Sequence, residues 1–167
     1  MADPDEPHES LAAHAREILD ATRYLTLSTV GLSGRPWTTP VYFAWTDPWE
    51  FYWVSAADAL HSHNLNAHPA VSFTVFDSTV PAYHGRAVYA VGDAAVVAED
   101  ALDRALAAYP GPPERGGAML TREEVSGDSR WRFYRATAAE LWVLCPGEPG
   151  QGCSLHGITQ DHRARVK

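Results

Sequence analysis

The sequence predicts a mainly β protein with peripheral helices (α+β), folded as a closed antiparallel barrel of about six strands. Three observations carry that prediction. Strand-like apolar runs follow one another through Gly- and Pro-rich turns. No regular helical crossover separates them, which argues against a parallel doubly wound sheet. The chain has 167 residues, 46% hydrophobic and 20% charged, enough for one domain with a full core and too apolar for a disordered one.

Ser10 is the expected N-cap of an amphipathic helix over 9–22, where Leu11, Ala15, Ile18, Leu19 and Thr22 recur at helical spacing. YLTLSTVG, 24–31, is the first strand, with Leu25 and Leu27 on one face and Thr26 and Ser28 on the other. GLSGRP makes a turn into WTTPVYFAW, 37–45, where Pro40 demotes the centre to an edge or a bulge. TDPWE turns the chain again, into FYWVS at 51–55. A short helix follows within 55–69, capped by Asp58 and stopped by Pro69.

Two more strands are expected at 71–77 and 86–98, with Gly92 marking a bulge or bend in the second. EDALDRALAAY, 99–109, is a helix with Leu102, Ala105, Leu106 and Tyr109 on one face, and PGPPERGG stops it. WRFYRATAAELWVLC, 131–145, is the last strand, broken near Ala138. Residues 1–8 read as a flexible acidic tail, 9–145 as the folded domain and 146–167 as a loop-like tail.

Charge narrows the function. Thirteen basic residues face 21 acidic ones, a net charge of −8, which disfavours a nucleic-acid binder that works by neutralising phosphates. The one lysine is Lys167, so Schiff-base chemistry and a P-loop have no donor. Any bound anion must be met by Arg, His, hydroxyls or backbone N–H groups. No apolar run approaches the roughly 20 residues that span a bilayer, and MADPDEPHES lacks the marks of a signal peptide. Two cysteines are too few for a disulfide framework, so a cytoplasmic location is expected.

The stretch SAADALHSHNLNAHP, 55–69, carries the most chemistry. Ser55, His61 and the first N–H groups of its helix converge on a place where an anion can sit. Asp58 opposes this if it points the same way, and a solvated helix with chance histidines is the plainer alternative. His61 and His63 do not share a helix face, and no HExxH follows. Cys145, Cys153, His156 and His162 match no finger or ribbon spacing, so no metal is expected. A GxSxG elbow and a GxGxxG turn are both missing, which disfavours a serine hydrolase and a Rossmann site.

The order of LTLSTVGLSGRPWTTPVYFAW, EFYWVSAADALHSHNLNAHPAVSFTVFD and RAVYAVGDAAVV resembles the pyridoxamine 5′-phosphate oxidase-like family of FMN-binding split barrels, over roughly residues 10–145. The resemblance implies a homodimer with FMN at the subunit interface, or a deazaflavin or haem in some branches. It implies that Thr39, Pro40, Val41 and Tyr42 run under the flavin, and that Trp53, Val54 and Ser55 lie beside its ribityl chain and phosphate. His61 stands at a phosphate-binding position and Asn64 is its polar neighbour.

Two departures from the family matter. Its Ser-Arg-Lys phosphate clamp reads Ala59, Leu60 and His61 here, and the C-terminal Arg-x-His motif is replaced by QDHRARVK. Both disfavour vitamin B6 phosphate oxidation. The expected function is FMN-dependent oxidation or reduction of a small organic substrate. Tyr42, His84 and Arg86 are candidates for the mouth of the site, and no catalytic acid or base is named. A non-catalytic flavin binder and a haem-binding or haem-degrading protein are the alternatives.

Overall fold

The computed structural model describes residues 6–147, 151–153 and 155–167. Helix α1, Glu6–Ala21, leads into strands β1, Tyr24–Val30, and β2, Pro36–Tyr42. Strand β3, Ala44–Thr46, turns into β4, Glu50–Ala56, and α2, Leu60–Ala67, follows. The long strands β5, Ala70–Phe76, and β6, Ala87–Val96, come next. Helices α3, Leu102–Ala108, and α4, Arg122–Val125, precede β7, Trp131–Leu144, and β8, Arg163–Arg165.

The strands form one antiparallel sheet in the order β2-β1-β5-β6-β7-β4-β3, with β8 on β7. The sheet curls into a split barrel. Eight strands replace the six expected, for two local reasons. The 37–45 run breaks at Phe43 into β2 and β3, and the tail expected to be loop contributes β8. Helix α1 also starts earlier than Ser10, at Glu6, with Pro7 in the first turn where a missing N–H costs nothing. Residues 6–8 of the expected tail are therefore helical, while 1–5 lie outside the described residues.

Leu11, Ala15, Ile18 and Leu19 of α1 pack into the barrel against Leu25, Leu27, Phe51, Trp53, Val75 and Leu141. A second, smaller core lies on the other side of β4 and β7, where Tyr52 and Phe133 pack under Leu102, Ala105 and Val125. Strand β4 is thus covered on both faces, which explains its near-continuous apolar sequence. Gly92 sits where the β6–β7 register slips, Val91 opposite Glu140 but Gly92 opposite Ala138. Ala139 is the extra residue of that bulge, one position beyond the break expected near Ala138.

Arg115 locks the first half of the chain to the α3–α4 connection. It is 6% exposed and donates to the carbonyls of Leu19, Asp20 and Phe43 at 2.8, 3.1 and 2.7 Å. Two of those acceptors end α1, where unpaired carbonyls and the helix dipole favour a cation.

Candidate functional site

The start of α2 meets the end of β4. His61 and Ser55 are both buried, and His61 Nε2 lies 2.8 Å from Ser55 Oγ. Ser62 donates to the Ala56 carbonyl at 2.8 Å, and Asn64 Nδ2 donates to Thr29 Oγ1 at 3.0 Å, fixing the helix across β4 and β1. Burial holds the His61 pKa below the ordinary histidine value, so near neutral pH it is an uncharged imidazole.

Asp58 does not cap α2. The N-cap is Ala59, which offers no side-chain oxygen, and no acid stands in the first turn. The helix-start N–H groups, which have no partner within the helix itself, face no local carboxylate. Asp58 lies exposed and pairs with Arg130 at 3.2 Å, so the objection that it would repel an anion falls away. The result is an uncapped helix start set against a buried hydroxyl–imidazole pair.

The other expected site residues spread over three environments. Thr39, Pro40 and Val41 lie on β2, which ends the sheet order and so presents one strand edge. Val41 faces the core, 6% exposed. Trp53 is fully buried, stacked on Tyr134 at 5.8 Å between ring centres, and its Nε1 has no hydrogen-bond partner. It is a core residue within the protomer. Val54 faces outward into an apolar groove with Tyr109, Leu120, Val125 and Trp131.

Tyr42 belongs to a different cluster. Its hydroxyl donates to the Pro110 carbonyl at 2.8 Å, and its ring packs edge-on against Tyr24 and Tyr109. Burial, then the neighbouring Tyr42 and Tyr24, push Tyr109 up to about 12. Tyr109 therefore stays protonated, and neither tyrosine is placed as a general base. His84 and Arg86 lie on another side, in a hollow with His14, Val80, Pro81, Pro146 and Gly147. Arg86 is paired there with Glu17 at 3.3 Å.

Cys145, Cys153, His156 and His162 match no linear zinc pattern, yet the fold gathers their ligand atoms within 4.8 Å of one another. The expectation of no metal fails to anticipate this because the pairing of β8 with β7 is what carries His162 to Cys145. Short motifs do not encode that pairing. The capping box of α4, Thr121 with Glu124, is by contrast a local signal, carried by the four residues TREE.

A barrel of this topology, split and flanked by helices, defines a class of cofactor-binding proteins rather than one reaction. The sequence profile of the family described as pyridoxamine 5′-phosphate oxidase matches residues 11–145, and the chain belongs to that family. No curated protein matches it by sequence.

Solved structures with the same fold include Atu2129, a protein of unknown function from Agrobacterium tumefaciens, at TM-score 0.64 and 20% identity over 89% of this chain and 60% of that one. A haem-binding protein of Mycobacterium smegmatis matches at 0.66 and 17%, over 93% of this chain and 57% of that one. HutZ, a haem storage protein of Vibrio cholerae, matches at 0.63 and 19%, over 82% and 96%. The chain spans less than two thirds of the first two proteins, and likeness at these identities establishes fold alone. Among the described residues no helix is long and apolar enough to cross a membrane.

Proposed function

We propose that the protein is an FMN-dependent oxidoreductase acting on a small organic molecule, working as a homodimer. The observation that carries this reading is the uncapped start of α2 against the buried Ser55–His61 pair. That donor set fits a phosphate: a hydroxyl, a neutral imidazole N–H and helix-start amides all donate, and no carboxylate in the first turn competes. The open edge of β2 at Thr39 and Pro40 offers backbone groups to a ring system. Bound FMN supplies hydride chemistry; the chain's part is to hold the phosphate, orient the ring and exclude water.

Dimer formation is supported by the outer face of the sheet. Thr38, Ser28, Ser72 and Val91 form one row across β2, β1, β5 and β6. Trp37, Val30 and Phe76 nearby are 45%, 39% and 54% exposed. A mixed hydroxyl and apolar face of this kind suits a protein partner better than water.

A second reading, haem binding, rests on His14. Its Nε2 is buried without a hydrogen-bond partner among the described residues, and it shares a hollow with His84 and Arg86. Burial, reinforced by Arg86, lowers its pKa, leaving the neutral imidazole an axial ligand requires.

Size-exclusion chromatography with light-scattering and absorbance detection tests both parts, after incubation with FMN or haemin. The expected result is a flavin spectrum co-eluting with a species of twice the 18.3 kDa chain mass. A monomer without flavin would overturn the reading, and a Soret band without flavin would replace it with the second.

A further inference from the structure

The C-terminal tail holds a set of side chains that the flavin reading does not use. Cys145 directly follows β7, and its N–H donates to the His162 carbonyl at 2.9 Å, extending the β7–β8 ladder by one bond. Cys153 and His156 form a tight knuckle: the Gly157 N–H donates to the Cys153 carbonyl at 2.9 Å, and the Cys153 N–H to the Ile158 carbonyl at 3.0 Å. Strand end, knuckle and strand start thereby bring two sulfurs and two imidazoles together.

We propose that Cys145, Cys153, His156 and His162 form a structural zinc site that fastens the C-terminal tail to the end of β7. His156 Nδ1 lies 3.4 Å from each of the two sulfurs and 3.1 Å from His162 Nε2. His162 Nε2 lies 3.6 Å from the Cys153 sulfur. A ring nitrogen has one proton or one lone pair, so these contacts cannot all be hydrogen bonds. They are the edges of a coordination polyhedron. With zinc–sulfur bonds of about 2.3 Å and zinc–nitrogen bonds of about 2.0–2.1 Å, a tetrahedral Cys2His2 site has edges of roughly 3.3–3.8 Å. Four of the six edges lie close to that range, and the other two do not exceed 4.8 Å.

The surroundings set the donors for a metal. His162 Nδ1 is 3.0 Å from the Gln160 carbonyl, which can only accept, so Nδ1 carries the proton and Nε2 turns its lone pair inward. The Cys153 sulfur accepts the His156 backbone N–H at 3.2 Å, a bond that favours thiolate. Two soft and two borderline ligands in a tetrahedral arrangement select zinc over magnesium or calcium. Four protein ligands close the coordination sphere, which makes the site structural rather than catalytic.

Its consequence is positional. Pro146 and Gly147, which leave Cys145, form one wall of the hollow around His14 and His84. The metal would hold that wall in place.

The test is metal analysis of the full chain purified without chelator, together with Cys153→Ala and His162→Ala variants. The wild type should carry about one zinc per chain, and each variant should fall below about a tenth of that with its far-ultraviolet circular dichroism retained. Should a variant fail to fold, the wild type stripped of metal and refilled with cobalt(II) decides. A sulfur-to-cobalt charge-transfer band with intense tetrahedral visible bands supports the site, and the pale spectrum of an octahedral oxygen site overturns it. Reduced wild type that retains no zinc after incubation and dialysis also overturns it. So does an intact Cys145–Cys153 disulfide that takes up no metal after reduction, or a pair of variants binding as much zinc as the parent.

Discussion

His61 and His14 show how burial assigns charge before any ligand arrives. Both are held below the ordinary histidine value, chiefly by desolvation. The unfolded chain therefore binds protons more readily than the folded one through the weakly acidic range. Stability from these two residues is complete above about pH 6.5, the unfolded value, and is lost as pH falls through their lower folded values. Thermal unfolding midpoints should be flat above neutrality and fall on acidification. The double variant His14→Gln, His61→Gln should show a shallower fall; an unchanged acid slope would mean that other groups carry it. Chemistry of this kind is only partly legible in the sequence. His61 and Ser55 are readable as a pair because six residues of strand end and helix start bring them back together. Arg115 is not, since its three carbonyl acceptors come from α1 and from Phe43, far away in the chain.

Strands and helices are more legible than single contacts, because each repeats its signal. The apolar faces of α1 and α3 read correctly from periodicity, and so does the alternation of β1. What escapes is structure created by pairing. Strand β8 has three residues and no pattern of its own, and it exists because β7 runs past β4 and leaves Trp142 to Leu144 free to pair. Gly92 is legible as a bend because a strand interior rarely tolerates glycine without a reason. The reason is a contact: a Cβ there would sit 2.1 Å from the Thr137 carbonyl oxygen. Gly92→Ala should therefore destabilise the protein by about 2–3 kcal/mol, because backbone rather than a flexible side chain must move. Gly34 lies in open space at φ +78°, so Gly34→Ala should lose only about 1 kcal/mol of conformational preference. Urea titrations of both variants measure the two losses, and equal ones would mean that the bulge can relax.

At the scale of the whole molecule, the acidic balance and the anion site are compatible because the site is uncharged. A net charge of −8 gives no long-range attraction for a phosphate. Recognition must come from short-range donors at α2, whose N–H groups point outward from an uncapped end. The fold places that end beside β4 and β1 through Ser62 and Asn64, and so converts a sequence reading of one helix into a site built by three elements. The central claim is that this end holds the phosphate of FMN. Affinities of FMN and riboflavin for the wild type, His61→Ala and His63→Ala, measured by flavin fluorescence quenching, test it most directly. A hydrogen bond to an ionised phosphate is worth about 1.5–3 kcal/mol, so His61→Ala should weaken FMN roughly ten- to a hundredfold. Riboflavin should lose far less, and the exposed His63 should matter to neither ligand. Equal losses of FMN and riboflavin in His61→Ala, or no loss of either, would contradict the claim.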